Sequence, residues 1–209
     1  MSGVTRLKIE SIVNRKNMIY VGIAILMVVV YFGWKLTARS AYESAEYTVV
    51  ESEGQFETRE YPDLMLASTD LPPGSKGDDG RFMRLFRYIE GENDQEQKVS
   101  MTTPVFMGSE ASQSQRQMAF VIPKKISEQS IPEPSNEKIE IRKRAGGLFA
   151  VIRFSGRLNK DTIFKAEEKL EKWMKKKGLV PNGDAECAGY DPPWTPGPFR
   201  RNEVHIRVK

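Results

Sequence analysis

Hydrophobic positions follow two different patterns along this chain, divided near residue 46. From Met18 to Trp34 the sequence MIYVGIAILMVVVYFGW runs 17 residues without a charge and without a polar face, bounded by Arg15, Lys16 and Asn17 before it and Lys35 after it. At 1.5 Å per residue that is about 26 Å of helix, enough to span a bilayer core of about 30 Å when the flanking lysines snorkel. Tyr20, Tyr31 and Trp34 fall near its ends, where aromatic belts form. The pattern predicts a transmembrane anchor over residues 18–36, after an N-terminal segment 1–17 and before a polar linker 37–46. A cleaved signal peptide is the competing reading, because Ala38-Arg39-Ser40 offers small residues. The long apolar run, the 17 residues before it, and Lys35 and Arg39 beside the cut argue against it.

From Tyr47 onward the pattern is that of one α+β domain, residues 47–209. Tyr47–Ser52, Phe56–Tyr61 and Leu64–Leu71 have strand composition, with Pro62-Asp63 turning the chain between the last two. In Asp79–Ile89, Phe82, Leu85, Phe86 and Ile89 fall at i, i+3, i+4 and i+7, one apolar face of a helix that Gly91 ends. Val99–Met107 and Met118–Ile122 follow as strands. The second half repeats the order. Lys138–Arg144 and Leu148–Ser155 alternate around Ala145-Gly146-Gly147, a hairpin signal. Asn159 caps a helix running to about Lys177, with Ile163, Ala166, Leu170 and Trp173 inward and Gly178 past its end. Ala185–Tyr190 and Asn202–Val208 close the chain. Pro72–Gly80, Gly108–Gln117 and Glu128–Asn136 read as surface loops. Two successive ββαββ units predict a distorted antiparallel barrel or sheet with two helices against it.

Charge sharpens the division. Residues 1–46 carry six Lys/Arg against three Asp/Glu, so most of the formal +4 belongs to the anchor segment, and residues 47–209 carry 26 against 25. Four Lys/Arg precede the span and two closely follow it, which favours a cytoplasmic N-terminus and a domain outside the cytoplasm. A balanced domain without a module of basic and stacking aromatic residues gives no reason to expect nucleic acid.

One Cys (Cys187) and one His (His205) exclude an intrachain disulfide and any zinc site of four Cys or of two Cys and two His. HExxH, the P-loop and GxGxxG are absent. His205 sits in Asn202–Val208, where Val204, Ile206 and Val208 share one face and Glu203, His205 and Arg207 the other. That company reads as a solvated surface; the functional alternative is an axial ligand for a metal or haem. Cys187 reads as a small packed hydrophobe. Arg81, Arg84 and Arg87 recur every three residues beside Phe82, Met83, Phe86 and Tyr88. They form either a solvated basic stripe or a rim of cations over an apolar cleft, suited to an amphipathic anion such as a tetrapyrrole with propionates.

Several segments resemble the SOUL/haem-binding protein family: Phe56-Glu57-Thr58-Arg59-Glu60-Tyr61, Leu85-Phe86-Arg87-Tyr88-Ile89-Glu90-Gly91-Glu92-Asn93, Met101-Thr102-Thr103-Pro104-Val105, Gly189-Tyr190-Asp191-Pro192-Pro193-Trp194 and Arg200-Arg201-Asn202-Glu203-Val204. The resemblance covers about Tyr47–Lys209 and leaves out the anchor. It implies a distorted antiparallel barrel with two helices and internal pseudo-symmetry. It also implies a non-covalent haem or related porphyrin in a shallow apolar cleft by the first helix, with Phe82, Met83, Phe86, Arg87, Met101, Tyr190 and Trp194 as the binding candidates. Members with an axial His carry it at the position of Glu60, and Thr195 stands where another family lysine would be, so neither a metal ligand nor a catalytic residue is assigned. The expected protein is a single-pass membrane-anchored tetrapyrrole binder serving transport, buffering or sensing, and not an enzyme. The alternatives are a SOUL-fold interaction or small-ligand module that no longer binds haem, and an enzyme acting on a tetrapyrrole or other apolar substrate, for which Glu60 and Tyr190 are the candidate acid or base.

Overall fold

Period-two patterning builds most of the domain. The computed structural model describes residues 17–28, 30–31, 42–70, 80–108 and 117–209. Its strands are β1 (Glu43–Ser44), β2 (Thr48–Glu53), β3 (Phe56–Tyr61), β4 (Leu64–Asp70), β5 (Thr102–Thr103), β6 (Val105–Gly108), β7 (Gln117–Val121), β8 (Ile139–Arg144), β9 (Gly147–Phe154), β10 (Glu186–Gly189) and β11 (Asn202–Arg207). The helices are α1 (Arg81–Ile89), the short α2 (Lys124–Ser127) and α3 (Lys160–Lys177), with a 3-10 turn at Gly197–Phe199.

Nine strands form one antiparallel sheet in the order β2-β3-β9-β11-β10-β6-β7-β4-β8. The two repeats, β3-β4-α1-β6-β7 and β8-β9-α3-β10-β11, are legible in that order. With β2 set aside, it reads the same from either end about the β10–β6 pair, with the leading strands β3 and β8 exchanged between repeats. The sheet curls into a half-barrel. Tyr61 of β3 and Leu64 and Leu66 of β4, from opposite regions of the sheet, meet Phe106, Val121, Phe149, Val151 and Tyr190 in one cluster, which a flat sheet would not allow. The other face carries the helices. Ala166, Leu170, Trp173 and Met174 of α3 pack on Ala150, Ile152, Val204 and Ile206. Leu85, Tyr88 and Ile89 of α1 pack on Ala67, Phe120 and Ile122.

Local chemistry fixes the ends of α3. The Asn159 side chain accepts from the Thr162 amide, the Thr162 hydroxyl accepts from the Asn159 amide, and Gly178 closes the helix in the left-handed region. Phe56 stacks on Trp173 with ring centroids 5.2 Å apart, and the Trp173 indole donates to Glu53 at 3.2 Å.

Several expectations are corrected. The hairpin around Ala145-Gly146-Gly147 does not form: β8 pairs with β4, while β9 pairs with β3 and β11. The β3–β4 and β8–β9 turns cross instead. Gly146 lies against the backbone of Tyr61, Pro62 and Asp63, and its amide donates to the Asp63 carboxylate at 2.7 Å. The expected strand Val99–Met107 is split into β5 and β6 at Pro104, and the Thr103–Pro104 peptide is cis. Residues 43–44, inside the expected linker, form a parallel pair with β5, and Ala45 joins the inner cluster. The loop 128–136 is partly enclosed, with Pro132 buried and its carbonyl accepting from the Tyr88 hydroxyl at 2.9 Å.

By contact, residues Met1–Ala38 form a unit separate from Arg39–Lys209. Residues 17–28 and 30–31 are helical and every described side chain there is exposed. Among the described residues no helix is long and apolar enough to cross a membrane. The expected span after Tyr31, nearly all of segment 1–17, the first half of linker 37–46 and most of the loops at 72–80 and 108–117 lie outside the described residues.

Candidate functional site

The sequence-predicted residues separate into three places. Phe82, Met83, Phe86 and Arg87 lie on α1, and Met101 packs against the cluster beneath it. The flank of α1 is apolar: half-buried Phe82 stacks on Phe86 at 6.0 Å with ring planes 13° apart and meets the buried Phe120 of β7 edge-on at 5.4 Å. Met83 is 47% and Phe86 36% exposed, an unusual placement for large apolar side chains three residues apart on one helix. The basic residues do not act alike. The Arg84 guanidinium donates to the Thr69 hydroxyl at 2.6 Å, fixing it beside β4, whereas Arg87 is exposed and only 4.0 Å from Glu92 at its nearest approach. Two cavities, of about 190 and 240 Å3, lie elsewhere, and neither is lined by an α1 residue.

Trp194 stands in a different place, 69% exposed in the segment between β10 and β11. Thr195 beside it is buried. Glu60 is exposed and opposite Leu148, which packs with the α3 cluster, so it belongs to neither the α1 face nor the barrel interior.

Tyr190 is in the third place, the inside of the half-barrel. So is His205, and the solvated-surface reading of it is corrected: His205, Glu203 and Arg59 are all 0% exposed. Alternation along β11 does divide Val204 and Ile206 from Glu203 and His205. The polar set faces a closed concave interior, because the curled sheet wraps over it, and the apolar set faces α3.

That interior holds a charge network of which the sequence-based candidates include only Tyr190 and His205. Arg59 donates from Nη1 to Glu203 Oε2 at 2.8 Å, from Nη2 to Oε1 at 3.0 Å, from Nε to Glu57 at 2.6 Å and from Nη1 to the Tyr61 hydroxyl at 3.1 Å. Its planar face lies 4.2 Å from the Tyr47 ring. The Tyr190 hydroxyl donates to Glu203 Oε2 at 3.0 Å, and Arg201 Nε to Oε1 at 2.9 Å. Burial opposes ionisation of Glu203; hydrogen bonds from His205 and Arg59 and the Arg59 charge overcome it and hold the carboxyl far below the usual range. Burial pushes the Tyr190 phenol well up, and the Glu203 charge adds to that. Burial likewise pushes His205 down, against the opposing pull of Glu203. The neutral imidazole therefore donates Nε2–H to Glu203 Oε2 at 2.9 Å, leaving Nδ1 without a partner among the described residues. A phenol held protonated in this way is a hydrogen-bond donor and a poor general base.

Two features hinted at this network: Glu57, Arg59 and Tyr61 alternate on one face of β3, and Glu203 and His205 do so on β11. Curvature decides whether such a face meets water, and curvature is not written in period-two spacing.

The α1 face suits a flat apolar anion: two near-parallel aromatic rings, a flexible thioether and cations at one edge. For haem it would supply contact without an axial imidazole, since His205 is enclosed and Cys187 is 1% exposed. Met83 carries the exposed thioether on that face and would be its candidate contact to iron.

A family model described as "SOUL heme-binding protein" matches residues 42–207. Heme-binding protein 1 of Xenopus tropicalis is 28% identical over 156 residues, or 71% of this chain and 81% of that one. Heme-binding protein 1 of Mus musculus is 31% identical over 129 residues, or 59% and 67%. The fold is also that of the EcmrR C-terminal domain, at a TM-score of 0.51 and 13% identity over 74% of this chain and 97% of that one. The model match spans most of the chain and coincides with the half-barrel: this protein belongs to the SOUL haem-binding protein family.

Proposed function

We propose that this protein binds haem or a related tetrapyrrole against the outer face of α1, for transport, buffering or sensing, without catalysis of its own. The observation that carries the reading is the exposed Met83 and Phe86, with half-buried Phe82 stacked on Phe86, edged by Arg84 and Arg87. The binding named in the two relatives supports it. Phe82 and Phe86 offer a plate for the macrocycle, Arg87 is placed for a propionate, and Met83 is the candidate contact to iron. Burying about 300 Å² of apolar surface at about 25 cal/mol/Å² gives roughly 7 kcal/mol before association costs of several kcal/mol, so propionate contacts decide whether affinity reaches micromolar.

The proposal includes the anchor: residues 18–36 hold the domain to a membrane, with the N-terminus cytoplasmic and the domain on the other side. It rests on the uncharged run Met18–Trp34, the asymmetry of the flanking cations, and the exposure of the described apolar side chains in 17–31, which need a cover.

The test is a hemin titration of the purified full-length chain in detergent. A saturable Soret shift is expected, lost in Phe86→Glu and weakened a few-fold in Arg87→Ala. A flat titration would overturn the reading and leave a SOUL-fold module for another ligand. Product analysis with haem and a reductant separates passive binding from turnover. Protease protection of the domain in sealed vesicles, with the N-terminus tagged, tests the orientation.

A further inference from the structure

The half-barrel has an unexplained cation site at one end of its interior. A cavity of about 190 Å3 opens there among Phe106, Gly108, Gln117, Ala119, Arg142 and Glu186. Apart from the Gly108 backbone these come from inward-facing positions of β6, β7, β8 and β10. Arg142 Nε is buried and has no hydrogen-bond partner among the described residues. Arg144, two residues along the same face and 4% exposed, donates from Nε to Glu186 at 2.8 Å, while its Nη1 is buried and has no partner among the described residues. Its guanidinium lies 4.6 Å from the centre of the Phe106 ring that lines the cavity.

A guanidinium has five N–H donors and cannot lose its charge in a protein, so buried donors without acceptors are costly and uncommon. Glu203 is engaged by Arg59, Arg201, Tyr190 and His205, leaving Glu186 as the carboxylate for Arg144. Glu140, further along β8, is exposed. Among the described residues, Arg142 at the cavity wall and the Arg144 guanidinium against the Phe106 ring therefore face one carboxylate, Glu186, an excess of one positive charge. The remaining wall is apolar, Phe106 and Ala119, with the Gln117 amide at the rim. The volume exceeds the roughly 150 Å3 that accepts benzene in an apolar cavity.

We propose that this cavity binds a small organic monoanion, a carboxylate on a compact apolar body. The carboxylate takes the free Arg142 donor at the cavity wall, Arg144 adds its charge from the Phe106 ring, and the apolar body lies against Phe106. The site is separate from the α1 face and does not depend on the tetrapyrrole reading. Charge-assisted hydrogen bonds from a guanidinium select carboxylate over an uncharged amide of the same shape.

The test uses the full-length chain in detergent, with sodium benzoate as probe and benzamide as its neutral counterpart, followed by nitrogen–proton NMR. Benzoate should give saturable shifts at the amides of Phe106, Gly108, Gln117 and Ala119 and at the Arg142 Nε–H. Benzamide should bind about tenfold more weakly or worse, and Arg142→Gln should weaken benzoate by about tenfold. Phe86→Glu, which abolishes the proposed hemin response, should leave benzoate binding intact. No saturation with benzoate, or equal binding of benzamide, would overturn the proposal and identify the cavity as a water site. Comparing the two probes on the unmodified chain keeps the test decisive if the Arg142 variant fails to fold.

Discussion

Arg59 and Glu203, 144 residues apart in sequence, meet as a two-pronged ion pair in which neither side chain has any solvent exposure. The pair ties β3 to β11 across the intervening β9. A buried carboxylate with this many donors depends on all of them, because its desolvation is offset only by contacts already made in the fold.

Glu203→Gln should therefore be strongly destabilising. It removes the one carboxylate shared by Arg59, Arg201 and the imidazole of His205, leaving Glu57 as the remaining counter-charge of Arg59. Breaking one side of such a pair costs about 3–5 kcal/mol, and urea unfolding at neutral pH would measure it. A loss below about 1 kcal/mol would show that the cations find other partners.

Two groups make stability depend on pH, in separable windows. The folded-state pKa of His205 lies below its ordinary 6.5 because burial disfavours the imidazolium. As pH falls through about 6.5 the unfolded chain takes up the proton first, so stability declines from there until the folded value is reached. Glu203 is also held below its ordinary 4.5. Its contribution is present above that value and is lost as pH falls toward the depressed folded one. His205 is the only histidine, so the upper window isolates it. His205→Gln should flatten the dependence of the urea midpoint between about pH 5 and 7 while leaving the acid limb unchanged. An unchanged slope in that upper range would mean that the imidazole charges freely in the fold.

The strands and both long helices were legible because each has a strong periodic pattern and clear end signals: Asn159 and Gly178 for α3, and the spacing of Phe82, Leu85, Phe86 and Ile89 for α1. The partners of the strands were not. Ala145-Gly146-Gly147 has hairpin composition, but β8 and β9 go to different neighbours, a choice made by contacts between turns more than 80 residues apart. The α1 site residues were readable as an amphipathic face with cations. Tyr190 and His205 were misplaced because alternation separates two faces without saying which one a curled sheet encloses.

The crossing of the two turns gives a steric prediction. A Cβ at Gly146 would sit 2.4 Å from the Tyr61 carbonyl oxygen and 2.6 Å from the Pro62 carbonyl carbon, both backbone atoms that cannot swing aside. Gly146→Ala should cost about 2–4 kcal/mol. Gly54 provides the control. It has a φ of +62° but open space around the missing Cβ, so Gly54→Ala should cost only the left-handed backbone term of about 1 kcal/mol. Equal losses in thermal unfolding would contradict the close approach of the turns.

Cys187 offers a reporter for all of these effects. It lies on β10, opposite Met107 and Val204, is 1% exposed, and burial pushes its thiol up to about 12. Thiolate is the reacting form, so an aromatic disulfide reagent should leave the native protein unlabelled and react only when β10 separates from its neighbours. If that opening is global, labelling tracks the unfolding equilibrium. Glu203→Gln should then accelerate it by about two orders of magnitude or more, the factor that 3 kcal/mol implies. Labelling that stays slow in Glu203→Gln despite a lowered urea midpoint would mean that β10 remains packed in a partly open state. Cys187→Ala, meanwhile, should leave the hemin spectrum unchanged, because an enclosed thiol behind β10 cannot serve a ligand on the face of α1.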